Sequence, residues 1–413
     1  MDIQIEFDNP HGVFVPGYEV SGSVIFTVTD HPLKARAVLI SVDGRASTHW
    51  TVSERHARSV AHSHGSHTNL QSQTTHYTVT YSASVPYANG EAVVWAPGGG
   101  EPAGHLALGI HRFPFRFMLP PMCPPSFEGT NGFVRYFCKA KIDRPWKFDH
   151  TTRRVFTVVP TFDLNLLPSA ALPVGVQDTK DLGVLFFKHG RMSVSAKMCK
   201  GAYVPGESIV LNADIVNASS RPVTKAELKL VEVSRYVAHR HGHTYTAGCP
   251  AGGSSHGQTR TSKRTVTSFE EKLDVDKGAS VQYSRLVPIP PVVPTFNNCP
   301  IIEVEYYLKL KLFAKGTMGN TLAVELPVII GTVPIRQAPP LPQCPPPMER
   351  GSYIAGAIMP NGPPPPSAGF DPPPSYEECV FGKGTVKDDE ENSAFAPRYA
   401  FYPNIQPSAP PAE

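Results

Sequence analysis

Apolar and polar residues alternate with a period of two through most of the first 333 positions. Val24, Phe26 and Val28 flank Ile25 and Thr27. Val134, Tyr136, Cys138, Ala140 and Ile142 are interleaved with Arg135, Phe137, Lys139 and Lys141, and Val304, Tyr306, Leu308, Leu310 and Leu312 with Glu305, Tyr307, Lys309 and Lys311. Runs of this kind between Pro and Gly turns predict half-buried antiparallel strands. No long segment carries a capped 3.6-residue period, so the predicted class is all-β.

The pattern also repeats. Val134-x-Tyr136-Phe137-x-Lys139-x-Lys141 returns 170 residues later as Val304-x-Tyr306-Tyr307-x-Lys309-x-Lys311. Each copy follows a similar turn, Pro125-Ser126-Phe127 or Pro294-Thr295-Phe296. Upstream, Val15-Pro16-Gly17-Tyr18-Glu19 is echoed by Val204-Pro205-Gly206-Glu207, and Lys34-Ala35-Arg36-Ala37-Val38 by Lys225-Ala226-Glu227-Leu228. Proline presets the first turn position and glycine accepts positive φ, so Pro-Gly ends one strand before the next begins. Four echoes in one order imply a duplication. The expected plan is two tandem antiparallel β-sandwich lobes, residues 1–160 and 183–333, joined by a linker over 161–182.

Composition separates off the remainder. Of the 44 prolines, 20 fall in the 80 residues 334–413. A quarter-proline segment lacks ladder donors and buries too little apolar surface to offset ordering entropy, so a disordered proline-rich C-terminal tail is expected there. Arg336, Arg350, Lys383, Lys387 and Arg398 face nine acidic residues in this tail, a net of −4, which leaves +7 on the lobes out of +3 overall. So mild an excess suits an anionic membrane or phosphorylated peptides and argues against nucleic acid. Seven scattered cysteines, without Cys-x-x-Cys, point to a reducing compartment. The first residues lack a signal-peptide core, and no stretch approaches the ~20 apolar residues of a membrane span. A soluble, cytoplasmic protein is expected.

Several short stretches together resemble the arrestin domain-containing proteins (alpha-arrestins). They are Val15-Pro16-Gly17, Ser126-Phe127-Glu128-Gly129, Val134-Arg135-Tyr136, Arg144-Pro145-Trp146, Tyr203-Val204-Pro205-Gly206-Glu207, Pro327-Val328-Ile329-Ile330-Gly331 and Pro372-Pro373-Pro374-Ser375-Tyr376. The resemblance covers nearly the whole chain and implies the two-lobed arrestin fold. It also implies a cytoplasmic adaptor, recruited to plasma membrane and endosomes, that binds receptor or transporter cargo. Such an adaptor brings HECT-type ubiquitin ligases of the Nedd4 class to that cargo for ubiquitination, endocytosis and sorting.

The tail motifs fit that role. Pro373, Pro374, Ser375 and Tyr376 spell Pro-Pro-x-Tyr: two prolines hold polyproline II against the aromatic ridges of a WW domain, and the tyrosine fills a separate groove. Ala396-Pro397-Arg398-Tyr399 lacks the first proline, which makes Pro397 and Tyr399 a degenerate second WW site. Pro407, Ser408, Ala409 and Pro410 form the tetrapeptide recognised by the ubiquitin-E2-variant (UEV) domain of ESCRT-I. On the lobes, Arg135, Lys139 and Lys141 share one strand face with Phe137, a candidate contact for acidic lipid or phosphorylated cargo.

Histidines cluster at His56, His62, His64, His67 and His76, and again at His239, His241 and His243. No cysteine or carboxylate joins them at ligand spacing, so the first cluster reads as a polar exposed loop and no metal or other cofactor is expected. Gly-x-Ser-x-Gly, Walker and dinucleotide patterns are absent, and no enzymatic activity is expected. A ubiquitin-independent coat or sorting scaffold, like the retromer subunits that share the arrestin fold, is the alternative function.

Overall fold

The computed structural model describes residues 2–64, 67–184, 187–240, 242–247, 257–316, 320–336 and 395–403. These residues form strands with two isolated 3-10 turns, Gly98–Gly100 and Leu164–Leu166, and no α-helix.

In the first lobe, Ile3–Phe7, Glu19–Val28 and Gly109–Met118 make a three-stranded sheet. It packs on a larger sheet ordered His67–Trp95, Ala37–His64, Gly132–Asp143, His150–Val158, Val13–Phe14. Phe7 of the small sheet meets Phe14 and Phe156 of the large one edge-on, with ring centroids 5.4 and 5.6 Å apart. That geometry sets the positive ring edge against the negative face. The alternation read from the sequence is the alternation of the core: Val24, Phe26, Val28, Val134, Tyr136, Cys138, Ala140 and Ile142 are all buried.

The second lobe repeats the arrangement. Val174–Val184, Phe187–Met198, Ser208–Ser219 and Ser280–Pro288 form its smaller sheet, and Val223–Arg240, Ile302–Ala314, Thr321–Ile330 and Ala202–Tyr203 its larger one. In both lobes the returning strand pairs in parallel with the short strand before the Pro-Gly turn: Thr157 with Val13, and Ile329 with Ala202. Gly17 and Gly206 sit at φ +83° and +99°, the conformation predicted for these turns. The Gly17 amide donates to the Leu119 carbonyl at 3.0 Å, and the Gly206 amide to Ile289 at 2.8 Å. The Ser126 and Thr295 amides donate to the Val158 and Ile330 carbonyls of the returning strands, and their hydroxyls accept from the Val158 and Ile330 amides at 2.9 and 3.0 Å. A duplicated sequence has kept a duplicated wiring.

The two large sheets are continuous. His239 pairs with Ser82 and Arg240 with Tyr81, which joins the lobes into one sheet of eleven strands among the described residues, counting Phe127–Gly129 beside Gly132–Asp143 and Gln258–Val275 beside Val223–Arg240. Two expectations differ from what is found. The strand Val174–Val184 begins inside the interval read as linker, because its exposed polar residues hide an edge strand paired along Phe187–Met198. The connecting residues are themselves tied down: the Phe162 amide donates to Thr332 Oγ1 at 2.7 Å. Likewise, the histidine-rich stretch read as a loop is a hairpin, paired in register from Ser53–Thr78 out to His64–His67. Its Thr and Val content favours strand.

Candidate interaction site

Ser126-Phe127-Glu128-Gly129, one of the stretches that carry the family resemblance, lies where the lobes meet. Ser126 is fixed by its hydrogen bonds to Val158, which sets the next three residues facing the second lobe. Phe127 lies edge-on to Phe296, centroids 6.0 Å apart, and 6.4 Å from Tyr236. Glu128 accepts both guanidinium donors of Arg135, at 2.5 and 2.8 Å. Burial pushes the Glu128 carboxyl up, partly opposed by that arginine. A Cβ at Gly129 would fall 2.1 Å from the Tyr236 hydroxyl, so no side chain fits there. From the second lobe, buried Glu232 accepts Arg264 at 2.5 and 3.2 Å, and the Tyr306 hydroxyl lies 3.1 Å from it. Two half-buried carboxylate–arginine pairs thus flank an aromatic seam.

A segment of the tail lies across this seam. Phe395 is buried. The Arg398 amide donates to Thr157 Oγ1 at 3.2 Å, and its guanidinium lies 3.3 Å from His11 Nδ1. Tyr399 keeps part of its ring at the surface but turns its hydroxyl inward, donating to the Ser126 carbonyl at 3.2 Å. Burial pushes that phenol well up, reinforced by Glu232 and Glu128. On the second lobe, the Tyr402 amide donates to Pro205 O at 3.0 Å and its hydroxyl to Thr332 O at 2.6 Å. Pro397 and Tyr399, read as a degenerate WW site, are therefore part of the folded body, tied to both lobes. Pro373, Pro374, Ser375 and Tyr376, and Pro407, Ser408, Ala409 and Pro410, lie outside the described residues.

The basic strand face is more committed than its sequence implied. Arg135 is paired with Glu128 and stacked over Phe133 at 4.2 Å, and Lys141 Nζ lies 3.0 Å from Asp149. Arg153 covers Phe137 at 3.3 Å, and Lys139 stays exposed. The loop just beyond, whose Arg144-Pro145-Trp146 entered the sequence analysis only as a family-like stretch, carries two exposed rings. Trp146, at φ +60°, and Phe148 project fully into solvent, 102% and 96% exposed. Asp149 holds the loop through Lys141 and the Arg144 amide at 3.1 Å, and Arg144 meets His150 Nε2 at 2.6 Å. Arg36, Arg144 and Lys147 border an open cavity of about 830 Å³ beside the two rings. The signal was present in Arg144-Pro145-Trp146-Lys147-Phe148: large apolar residues in a charged turn, off the strand period.

His239 Nε2 lies 2.5 Å from the Tyr245 hydroxyl, and its ring is 5.0 Å from that of His243. His241 is outside the described residues, and among those described no cluster of three metal-ligating side chains occurs. No disulfide joins the described cysteines Cys123, Cys138, Cys199 and Cys299. No helix among the described residues is long and apolar enough to cross a membrane.

Comparison with known proteins agrees with this geometry. The arrestin (or S-antigen) N-terminal domain matches residues 3–165 and the arrestin C-terminal domain residues 188–335. The chain belongs to the arrestin domain-containing proteins. It is 30% identical to arrestin domain-containing protein 17 of Caenorhabditis elegans over 336 residues, 80% of this chain and 70% of that one. Against human arrestin domain-containing protein 4 it is 29% identical over 329 residues, 79% of this chain and 70% of the relative. Rat arrestin domain-containing protein 1 is 28% identical over 263 residues, 63% and 55% of the two chains. In this arrestin domain-containing chain, the seam is built wholly from the two matched domains, whereas 395–403 lies beyond both.

Proposed function

We infer that the protein is a cytoplasmic trafficking adaptor, recruited to plasma membrane and endosomes. Its arrestin lobes hold the cytoplasmic part of a receptor or transporter, and its tail brings a Nedd4-class HECT ubiquitin ligase to that cargo. The observation that carries this reading is an order of parts: two arrestin domains followed by Pro-Pro-Ser-Tyr at 373–376. The ligase performs the chemistry; the adaptor contributes proximity. Pro407–Pro410 would hand the loaded adaptor to the UEV domain of ESCRT-I. The burial of the Tyr399 hydroxyl supports Tyr376 as the principal ligase-docking tyrosine, because a WW groove must enclose the same phenol. Membrane contact is best supported at Trp146 and Phe148, which pair interfacial aromatics with Arg36, Arg144 and Lys147.

The direct test is capture of the full chain on immobilised WW domains. Tyr376→Ala should abolish it while Tyr399→Ala leaves it standing. Undiminished capture by Tyr376→Ala would return the protein to the ubiquitin-independent scaffold reading, which needs neither tail motif.

A further inference from the structure

The segment 395–403 is held in an unusual way for a returning tail. Two main-chain amides, of Arg398 to Thr157 Oγ1 and of Tyr402 to the Pro205 carbonyl, set its path, and side chains at fixed intervals do the rest. Phe395 is buried, the Arg398 guanidinium reaches His11, Tyr399 reaches the Ser126 carbonyl, and Tyr402 reaches the Thr332 carbonyl. None of its residues joins a strand. Strand addition binds through main chain and tolerates many sequences; this arrangement reads Phe-x-x-Arg-Tyr-x-x-Tyr. Its acceptors are supplied by both lobes, and they exist because each lobe's turn is locked independently of the tail: Ser126 by Val158, and Thr332 Oγ1 by the Phe162 amide and the Pro160 carbonyl. The receptor surface is built by the lobes, and the ligand is a linear sequence.

We propose that the lobe seam is a peptide-binding groove for unphosphorylated segments carrying Arg-Tyr-x-x-Tyr behind a buried aromatic, occupied in the free protein by the chain's own residues 395–403, and that a partner segment of the same chemistry displaces them. The restriction to unphosphorylated tyrosine follows from the lining. The buried Tyr399 hydroxyl donates a hydrogen bond to a carbonyl, and the carboxylates of Glu232 and Glu128 act on it more strongly than the opposing Arg264. A phosphate there would set two more negative charges and only acceptor oxygens against acceptors. Displacement has a second effect. Pro397 and Tyr399 pass from the groove to solvent, so occupation of the seam and WW capture of this second site exclude one another. That the displacing segment belongs to a membrane cargo tail rests on the adaptor reading; the groove does not.

The test needs neither ligase nor cargo. A fluorescent peptide spanning residues 393–405 is titrated by anisotropy against the full-length protein and against full-length Tyr399→Ala/Tyr402→Ala, whose own tail has lost two anchors. The variant should bind the peptide about tenfold or more tighter than wild type, since a tethered competitor is removed. A peptide phosphorylated at Tyr399 should bind at least about tenfold more weakly than the plain one. Hydrogen exchange on the wild-type chain avoids any dependence on the variant's folding. Residues 395–403 should be protected, and excess unlabelled peptide should remove that protection. Equal binding by the two proteins, absence of binding to both, or protection that saturating peptide leaves intact overturns the proposal. WW capture that fails in the separate Tyr376→Ala experiment counts against the adaptor reading alone, so the two failures are distinguishable.

Discussion

Tyr136 and Tyr306 occupy equivalent places, and each hydroxyl finishes its lobe by donating to a buried carbonyl: Pro124 at 2.8 Å and Val293 at 2.7 Å. Burial pushes both phenols far above their ordinary value, so they remain protonated donors at any pH the fold survives. Tyr136→Phe keeps the packing and strands the Pro124 carbonyl. A loss of roughly 1–3 kcal/mol is expected, read as a lower urea midpoint with unchanged slope. The repeated Val-x-Tyr was legible in the sequence because it is local. The pairing of Glu232 with Arg264 was not: 32 residues separate them, and only the strand register brings them opposite one another. Tyr399 was likewise read from its motif alone, since nothing in Pro-Arg-Tyr announces which surface it meets.

Between residue and lobe lies the loop from Arg144 to His150, and it links presentation to pH. Burial and the Arg144 charge hold the His150 imidazole below its ordinary 6.5. A depressed histidine stabilises through its neutral form. That contribution is complete above the ordinary value and is lost as pH falls through the folded one. Acidification from about pH 7.5 to about 5 should therefore loosen the loop. The wild-type signal minus that of Trp146→Phe, followed as fluorescence anisotropy, should drop over this interval, and His150→Gln should flatten the change. The same loop gives the proposed membrane contact its test: Trp146→Ser/Phe148→Ser should reduce sedimentation with phosphatidylserine vesicles by about tenfold or more, given roughly 1.5–3 kcal/mol for burying each ring. Lys139→Glu, on the strand face, should change it less. Strands of the core were readable from alternation. The edge strand Val174–Val184 and the histidine-rich hairpin were not, because neither carries a sustained apolar alternation and it is strand pairing that defines them.

For the whole molecule, duplication, order of lobes and all-β class were all visible as repeated turns and periods. What no period could show is that the halves share one sheet and that the chain returns to fasten them. That return has a geometric consequence for Tyr376. A residue advances the chain by at most ~3.3–3.6 Å, whatever path it takes. Counted from Arg336, Tyr376 is 40 residues out, a reach of at most about 140 Å; counted from docked Phe395 it is 19 residues out, at most about 65 Å. In the proposed adaptor role, a ligase captured at Tyr376 would thus be on a leash whose length depends on whether the far end is fastened. Energy transfer between dyes at position 376 and on the second lobe should report a shorter upper distance in wild type than in Tyr399→Ala/Tyr402→Ala. Fastened, such a ligase would be restricted to lysines close beside the lobes; unfastened, it would sweep a sphere of more than twice the radius.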